Sequence, residues 1–366
     1  MNRFIRAKCA LLALSLPLLA VPCLANNQAV GTALKTPAMH AAMAERAVLV
    51  DLARAGTRLV AVGERGIVML SDDNGNHWRQ GDVPVSVSLT GVQFVDAQHG
   101  WAVGHAGVVL VTVDGGEHWA VQLDGERAAQ IELQAAQQAL ASASDADAAQ
   151  ARVDTAQRLV DEGPDKPFMA LDFIDAKRGI IVGAYGFALQ TLDGGATWQS
   201  LMGQIDNPTG MHLYAIGHQG TRWFLAGEQG YLARSDDDAQ SFTALPSPYE
   251  GSFFTLQSGA DGALLVAGLK GNAFVSRDGG ATFEAAPVIA PISFSDSVRL
   301  ADGQLLLANQ AGGLFRSGTG EAALHPLGKP LGWPVASVIQ AADGALVVAG
   351  FLGLMRIAPT TPVVSE

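Results

Sequence analysis

The chain has 366 residues, of which 49% are hydrophobic and 16% charged, and its formal net charge is −12. This composition is typical of an ordinary globular protein, and the chain is long enough to bury a large core. The acidic balance argues against nucleic acid and anionic lipid as partners, because both carry negative charge themselves.

The first 25 residues have the pattern of a secretory signal peptide. Arg3, Arg6 and Lys8 form a positive n-region, and residues 10–21 form an apolar stretch that leads to small residues at 23–25. Cleavage would leave 20 basic against 35 acidic residues and would remove both cysteines, Cys9 and Cys23. We expect an exported, periplasmic protein without disulfides. The alternatives are an uncleaved membrane anchor and a lipoprotein modified at Cys23, and Pro22 argues against the second.

The stretch 183–198, GAYGFALQTLDGGATW, contains the unit from which the rest of the chain is built. It begins with a Gly-x-x-Gly turn, continues through a short apolar run, and ends in an Asp-box of the form Thr-x-Asp-x-Gly-x-Thr-Trp. Glycine adopts positive φ easily, an Asp carboxylate can accept hydrogen bonds from its own turn, and a tryptophan can pack into an apolar seam. The unit therefore predicts strands separated by two tight turns.

The same turn recurs along the whole chain, beginning at Gly63, Gly104, Gly183, Gly227, Gly268, Asn309 and Gly350. The spacings are 41, 79, 44, 41, 41 and 41 residues. A period of about 40 residues with several short strands per repeat is typical of propeller blades. We predict an all-β, seven-bladed β-propeller over residues 26–366, with an insert where the spacing of 79 breaks the period.

Five of the repeats carry the Asp-box, and its regular position favours a structural role for its acids over acid–base chemistry. The sixth repeat keeps only a remnant at 317–320, and the seventh has none. The predicted structural residues are Asp73, Trp78, Asp114, Trp119, Asp193, Trp198, Asp237, Phe242, Asp278 and Phe283.

The insert at 124–167, between the second and third blades, is rich in Ala and Gln and has a helical period. Its first apolar face is predicted to contain Ala129, Leu133, Ala136 and Leu140. A second face contains Val153, Ala156, Leu159 and Val160, and Ser144 with Asp147 resembles a capping pair between the two helices. The segment ends at Gly163-Pro164. We predict a helical hairpin, with an Ala-rich loop as the alternative.

The seventh repeat contains three strands and then ends near Pro359. A propeller has to close its ring, because an open sheet edge exposes unpaired backbone groups. We therefore predict that residues 29–35 supply the outer strand of the last blade.

The residues inside the Gly-x-x-Gly turns are expected to ring the central channel on the same face as the helical hairpin. This ring is chemically mixed, so it predicts a surface for a protein or peptide and no catalytic residues. The sequence contains no metal-ligand spacing, phosphate loop or dinucleotide fingerprint, and we expect no metal and no cofactor. The predicted partner-binding residues are Glu64, Arg65, His105, Tyr185, Glu228, Gln229, Lys270, Gln310 and Phe351, with Leu352 beside the last.

The Asp-boxes resemble those of sialidases and related propellers. Sialidases also carry a Phe/Tyr-Arg-Ile-Pro motif and an arginine cluster, and neither is found in this sequence. We therefore expect no enzyme activity, and a sialidase-like glycosidase or a glycan-binding protein remains the alternative. A purely structural envelope protein is a third possibility.

A closer resemblance is to the photosystem II stability/assembly factor family. It rests on repeat phrases such as Phe94-Val95-Asp96 with Gly100-Trp101, followed by the box at 112–119 and by the same phrases at 173–198. The resemblance implies a secreted seven-bladed propeller on the lumenal side of a membrane, acting in photosynthesis. The implied function is non-enzymatic assembly or stabilisation of a membrane protein complex, or of a transporter or envelope complex in a non-photosynthetic bacterium. It implies a monomer with a protein partner and no small-molecule substrate.

Overall fold

A computed structural model describes residues 28–288, 291–318 and 323–359 of the chain. The expected signal peptide, 1–25, lies outside the described residues. The described chain forms seven antiparallel sheets, six with four strands and one with three. The all-β, seven-bladed fold that the repeat period predicts is confirmed.

The first three sheets, or blades, follow one another along the chain. The first contains β1 (Leu49–Ala55), β2 (Arg58–Gly63), β3 (Val68–Ser71) and β4 (Arg79–Gln80). The second contains β5 (Leu89–Phe94), β6 (Gly100–Gly104), β7 (Val109–Thr112) and β8 (Ala120–Leu123). The third contains β9 (Phe168–Phe173), β10 (Gly179–Gly183), β11 (Ala188–Thr191) and β12 (Gln199–Ser200).

The other four blades have the same strand order. The fourth contains β13 (Leu213–Gln219), β14 (Arg222–Gly227), β15 (Leu232–Ser235) and β16 (Thr243–Ala244). The fifth contains β17 (Phe253–Ser258), β18 (Leu264–Gly268), β19 (Ala273–Ser276) and β20 (Glu284–Ala285). The sixth contains β21 (Phe294–Arg299), β22 (Leu305–Asn309), β23 (Leu314–Ser317) and β24 (Leu324–Pro326). The seventh contains β25 (Val335–Gln340), β26 (Leu346–Gly350) and β27 (Gly353–Ile357).

The blades form a ring in which the first strand of each is innermost. β1 contacts β5, and the contacts continue through β9, β13, β17, β21 and β25, which returns to β1. Every residue of β6, β10, β18 and β22 is buried, because both faces of these second strands pack against neighbouring blades. This explains why the second strands are short apolar runs instead of alternating polar and apolar residues.

The two glycines of the Gly-x-x-Gly turn are needed for different physical reasons. Gly183 has extended backbone (φ −169°), and a Cβ there would lie 2.2 Å from the carbonyl oxygen of Pro167. The N–H of Ala184 donates to that same oxygen at 3.1 Å. Gly186, in contrast, has φ +72°, which favours glycine. An added Cβ would come equally close to a carbonyl, at 2.0–2.4 Å, at Gly63, Gly104, Gly227, Gly268 and Gly350.

In the Asp-box turns, the carboxylate collects hydrogen bonds from its own loop. Asp193 accepts from the Thr197 hydroxyl at 2.6 Å, from the Thr197 N–H at 2.8 Å and from the Thr191 hydroxyl at 2.9 Å. The hydrogen bonds from Thr197 hold the pKa of Asp193 below its ordinary value. Trp198 is buried and packs edge-on against Phe173 at 6.3 Å. The acid therefore shapes the turn while the aromatic residue joins it to the core.

Three α-helices lie outside the sheets in the described part of the chain: α1 (Gln28–Ala33), α2 (Gly125–Leu140) and α3 (Ala146–Glu162). No helix in the described part of the chain is long and apolar enough to cross a membrane. α2 and α3 pack on each other as the helical hairpin that the insert predicts. Their N-caps are Asp124 and Asp145, which accept from the N–H groups of Arg127 and Ala148. Ser144 is therefore not the cap of α3.

The hairpin is attached to the third blade through a buried carboxylate. Glu132 of α2 is 1% exposed and accepts two hydrogen bonds from Arg152 of α3, at 2.9 and 3.0 Å. The Ser200 hydroxyl of β12 donates to the same carboxylate. The helical period predicts apolar contacts at Leu133 and Leu140, which are only half-buried. Glu132, which the hydrophobic pattern does not mark, therefore makes a buried polar contact between the insert and the third blade.

The predicted strand closure by residues 29–35 is wrong. Residues Gln28–Ala33 form helix α1, and the carbonyl of Ala33 accepts from Ser86 N at 2.9 Å, on the connection between the first two blades. Leu34 packs into the core between those blades, so this segment finds its apolar partners there. Within the described chain β27 is the outer strand of the seventh sheet. The chain reaches this sheet instead through a 3₁₀ turn, Ala44–Arg46, which contacts β27.

Polar side chains inside the ring join the seventh blade to the first. Ser337 Oγ lies 2.8 Å from Asp296 Oδ2 and 3.2 Å from Asp51 Oδ1. The carboxylates of Asp51 and Asp296 also accept from Val92 N and Val338 N on the next blade, both at 2.8 Å. Burial and the charge of Asp296 raise the pKa of Asp51 to about 7, and burial raises the pKa of Asp296 to about 6. A protonated Asp51 can donate a hydrogen bond to Ser337 Oγ, and the Ser337 hydroxyl can then donate its own hydrogen bond to Asp296.

Removing Arg152, the partner of the buried Glu132, should release the hairpin from the third blade. In Arg152→Ala the Glu132 carboxylate stays buried with Ser200 as its remaining partner, which costs about 3 kcal/mol. We expect the amides of α2 and α3 to exchange hydrogen about a hundredfold faster. Arg158→Ala, an exposed arginine of the same helix, is the control and should leave exchange unchanged. Equal exchange in the two variants would contradict the anchoring role.

The channel carboxyl groups should make stability fall as the pH rises. Their pKa values in the folded protein lie above the ordinary value of 3.8, so the folded state keeps protons that the unfolded chain has released. The free energy of unfolding of Asp51→Asn minus that of the wild type should rise by about 2 kcal/mol or more between about pH 4 and about pH 8. Urea unfolding at a series of pH values measures this difference.

The matched control for this experiment is Asp278→Asn. Hydrogen bonds from Thr282 lower the pKa of Asp278 to about 2, so its stabilising effect is present above about pH 4 and is lost as the pH falls further. The difference between this variant and the wild type should therefore be constant from about pH 5 to about pH 8. A constant difference for Asp51→Asn as well would show that Asp51 does not titrate in this range.

Candidate partner-binding face

The antiparallel strand order places two kinds of turn on opposite sides of the ring. The turns between second and third strands lie on the side of the connections from one blade to the next, because each strand reverses the chain direction. We call this side the turn face; its turns are 63–66, 104–107, 183–186, 227–230, 268–271, 309–313 and 350–353. The Asp-box turns lie on the other side, which we call the Asp-box face.

The nine residues predicted to bind a partner all lie at the tips of the turn face, one or two on each of the seven turns. Two are half-buried, Glu64 and Glu228. The other seven are exposed: Arg65, His105, Tyr185, Gln229, Lys270, Gln310 and Phe351. The structure thus presents them as separate tips around the face.

The two half-buried glutamates accept hydrogen bonds from backbone N–H groups. Glu64 Oε1 accepts from Val48 N at 2.9 Å, and Glu228 Oε2 accepts from His212 N at 3.3 Å. Both N–H groups belong to the residue just before a first strand. Each glutamate therefore fixes the point at which the chain enters its blade, and its carboxylate is occupied by that contact.

The tips are held against the next blade by a repeated hydrogen bond. Five of the turns have a left-handed residue at their third position, with φ between 51° and 57°. In four of them the N–H of this residue donates to a side chain on the following connection: Arg65 to Ser88, Tyr185 to His212, Gln229 to Ser252 and Lys270 to Ser293. A tip fixed in this way loses little conformational entropy when a partner binds.

The channel at the centre of the ring is lined by the first strands and not by the turn tips. It has a volume of about 540 Å³, and all seven first strands contribute to its wall. None of the nine predicted residues lines it. The expectation that the turns ring the channel is therefore corrected. Neighbouring strands of a sheet lie roughly 4.8 Å apart, so the turn between the second and third strands is farther from the channel than the first strand is.

Four rings form a row that runs from the turn face into the channel. Tyr185 lies edge-on to His212 with ring centroids 4.8 Å apart, His212 stacks on Tyr214 at 6.2 Å, and Tyr214 meets Phe254 at 5.5 Å. Tyr185 is 53% exposed, whereas Tyr214 and Phe254 line the channel. Burial raises the pKa of Tyr214, so its hydroxyl stays protonated and can donate. We call these four residues the aromatic row.

The helical insert ends beside this row. Lys166, just after α3, places Nζ 5.4 Å from the centre of the Tyr185 ring. The same ammonium group pairs with Glu162 at 2.8 Å and with Asp165. An ammonium group over an aromatic face is attracted by the ring electrons. The hairpin and the aromatic row therefore belong to one continuous part of the turn face.

Sequence reasoning identified Tyr185 and missed His212, Tyr214 and Phe254. Tyr214 and Phe254 are the second residues of the first strands of the fourth and fifth blades. The corresponding residues in the other blades are not aromatic: Val50, Thr90, Met169, Ser295 and Ala336. A column-by-column comparison of the seven repeats would have shown two adjacent aromatic residues at this position.

The polar groups of the channel support its wall. His218 Nδ1 lies 2.7 Å from Asp172 Oδ2, which raises the pKa of His218, and Gln93 Nε2 donates to the other oxygen of Asp172 at 3.1 Å. These three residues link the second, third and fourth blades. The channel lining contains one arginine, Arg299, and one tyrosine, Tyr214, whereas a sialidase-like site would gather several arginines.

No group of three or more His, Cys, Asp or Glu side chains among the described residues could hold a metal ion. The turn face offers aromatic rings, amides, single charges and fixed backbone. Such groups recognise an extended chain or a loop by stacking and hydrogen bonds.

Comparison with solved structures places the ring among known propellers. A structure of YCF48 bound to D1 peptide matches with a TM-score of 0.63 and 15% identity, covering 86% of this chain and 94% of that one. YCF48 from Cyanidioschyzon merolae matches with a TM-score of 0.59 and 13% identity, covering 85% and 96%. The WD40 propeller domain of Doa1 matches with a TM-score of 0.61, 11% identity and coverage of 90% and 96%. At these identities the matches show the fold alone.

Sequence comparison gives the family. The Photosystem II assembly lipoprotein Ycf48 of Synechococcus sp. (strain CC9902) is 31% identical over 75 residues, which is 20% of this chain. The match spans 22% of that relative's length, about a fifth. The family model described as photosynthesis system II assembly factor YCF48 matches residues 42–140 and 150–317, which is most of the described ring. The chain belongs to this family of Ycf48-type assembly factors.

Proposed function

We propose that this chain is a non-enzymatic assembly or stability factor that binds a segment of a membrane protein complex on its turn face. The observation that carries the proposal is the aromatic row, which joins exposed Tyr185 to the channel lining. Aromatic anchors in a partly closed site contribute much of the affinity of protein interfaces. The family is described as an assembly factor, and its solved relative YCF48 is bound to a D1 peptide, which supports a protein partner.

The partner would depend on the cell that makes the protein. In a photosynthetic cell we infer a photosystem II subunit, by analogy with the D1 peptide bound to the solved relative. In a non-photosynthetic bacterium the same face would serve a transporter or envelope complex. Neither case needs a cofactor, and a monomer presents the whole turn face.

We infer that the protein acts in the periplasm after loss of residues 1–25. The Synechococcus relative is a lipoprotein, which supports export or membrane association. The turn face would then meet the complex from the side of the membrane away from the cytoplasm. A mature N-terminus at Asn26, read by mass spectrometry of the purified protein, is the expected result, and an intact N-terminal segment would contradict it.

Photo-cross-linking in intact cells tests which face meets the partner. We expect a cross-linking residue in place of Gln229, an exposed tip of the turn face, to capture a membrane protein. The matched control is the same residue in place of Leu192, which is 58% exposed on the Asp-box face. Capture of the membrane protein from position 192 alone, or from neither position, would contradict the proposal.

The aromatic row should supply most of the affinity. In the double variant Tyr214→Ala and Phe254→Ala we expect at least a tenfold loss of the co-purified membrane protein, because truncating one aromatic anchor costs about 2 kcal/mol. Val113→Ala, an exposed residue of the Asp-box face, is the control and should retain the complex. Equal recovery from both variants, with unchanged melting temperatures, would show that the row is not the binding site.

A further inference from the structure

Among the described residues, β27 of the seventh blade has an edge that a fourth strand covers in the other blades. In five blades the first residue of the third strand accepts a hydrogen bond from the N–H just after the fourth strand. These pairs are Val68 with Gly81, Ala188 with Leu201, Leu232 with Leu245, Ala273 with Ala286 and Leu314 with Leu327. Register with β26 makes Leu354 the corresponding residue of β27. Among the described residues its carbonyl has no such donor.

The side chains of β27 are less buried than those of most other third strands. All four residues of β3 are buried, and β7, β11 and β15 each have three buried residues of four. In β27, in contrast, Leu354, Met355 and Ile357 are all half-buried. The turn that leads into this strand carries Phe351 and Leu352, which are 61% and 67% exposed. An exposed apolar turn therefore leads directly into the open edge.

Natural edge strands are usually protected by lysine, proline or a bulge. β27 contains no lysine or proline, and its register with β26 is regular. Its one charged residue, Arg356, is turned to other partners, since it donates to the carbonyl of Asn74 at 3.0 Å and pairs with Asp343 at 2.5 Å. Among the described residues, no strand pairs with the outer edge of β27.

We propose that β27 binds an extended, apolar segment of the partner protein, which adds to the seventh blade as a fourth strand antiparallel to β27. This inference rests on the proposed function and specifies how the partner is held. The other six blades define the occupant, because each of them carries an antiparallel strand at this position. Backbone hydrogen bonds supply affinity in strand addition, and pockets for side chains supply specificity.

The apolar turn favours a partner strand over a short strand of the kind found in the other blades. The fourth strands β4, β12, β16 and β20 are two residues long. Such a strand pairs with the middle of the third strand and does not reach the turn. Covering Phe351 and Leu352 requires a segment that continues onto the turn face, where we propose that the partner binds.

A peptide from the protein's own third blade is a suitable probe. Residues 197–203, TWQSLMG, contain β12 and Leu201, whose N–H donates to Ala188 O at 2.9 Å in the intact blade. We expect the fluorescein-labelled peptide to bind the full-length protein saturably, as measured by fluorescence polarisation. The same peptide with an N-methyl group on Leu201 lacks the donor that would meet Leu354, and we expect it to bind at least tenfold more weakly. Equal binding of the two peptides would overturn the proposal.

A disulfide tests the register directly. In the intact blade Ser200 lies opposite Leu189, so it should lie opposite Met355 when the peptide pairs with β27. Met355→Cys, in a protein whose Cys9 and Cys23 are changed to Ser, should form a disulfide with a peptide carrying Cys at position 200. A peptide with Cys at position 199 should react much more slowly, because neighbouring strand residues point to opposite faces. Equal rates would contradict pairing in this register.

Two protein variants distinguish binding at the apolar turn from non-specific hydrophobic binding. Met202 and Gly203 of the peptide continue past Leu354 toward the turn, so Phe351→Ser with Leu352→Ser should weaken binding of the unmodified peptide several-fold. Val113→Ser, also exposed but on the Asp-box face, should not. If a chain ending at Pro359 binds the peptide and the full chain does not, the chain's own residues 360–366 occupy the edge and the proposal fails. Dimers that dissociate when the peptide is added would point to a second copy and would also overturn it.

The outcome is separable from the proposed function. If the peptide fails to bind but cross-linking at Gln229 captures a membrane protein, strand addition is wrong and the proposed function stands. If the peptide binds in register but no membrane protein is captured, the edge is a strand-binding site and the proposed function fails.

Discussion

The turn face depends on one backbone contact that is repeated around the ring. In six blades the N–H after the first residue of the turn donates to a carbonyl oxygen just ahead of the first strand, at 2.9–3.1 Å. In the five of these blades whose turn begins with glycine, an added Cβ would lie 2.0–2.4 Å from that oxygen, whereas the sixth blade makes the same contact with Asn309. Because backbone makes the contact, the next two side chains are free to differ. The ring thus combines a fixed frame with variable tips, and this allows one fold to present a specific surface.

The two faces of the ring differ in what their polar groups do. On the Asp-box face each acid is satisfied by its own loop, as Asp193 is by Thr191 and Thr197. On the turn face the tips are clamped by their backbone, and side chains such as Gln229 and Lys270 are exposed to solvent. Stability and recognition are therefore largely separated. The exceptions are the glutamates, whose carboxylates hold the entry to the first strands.

The number of blades could be predicted because the Gly-x-x-Gly contact leaves a periodic trace in the sequence. The hairpin could be predicted because helical periodicity interrupts that trace. The closure of the ring could not be predicted, because it depends on the core into which Leu34 packs and on a contact between Asp51 and Ser337, which are far apart in the chain. The aromatic row was missed for a similar reason: Tyr214 and Phe254 are ordinary strand residues until the ring brings them beside His212. The anchor at Glu132 lies on a face that the hydrophobic pattern does not mark.

The central claim is that the partner occupies the turn face while the Asp-box face remains free. Hydrogen exchange on the complex purified from cells, compared with the free protein, tests this directly. Slower exchange is expected at the turn tips and at residues 212–214 and 252–254, with no change in the Asp-box turns at 112–119 and 191–198. Protection confined to the Asp-box turns, or spread evenly over both faces, would contradict the account.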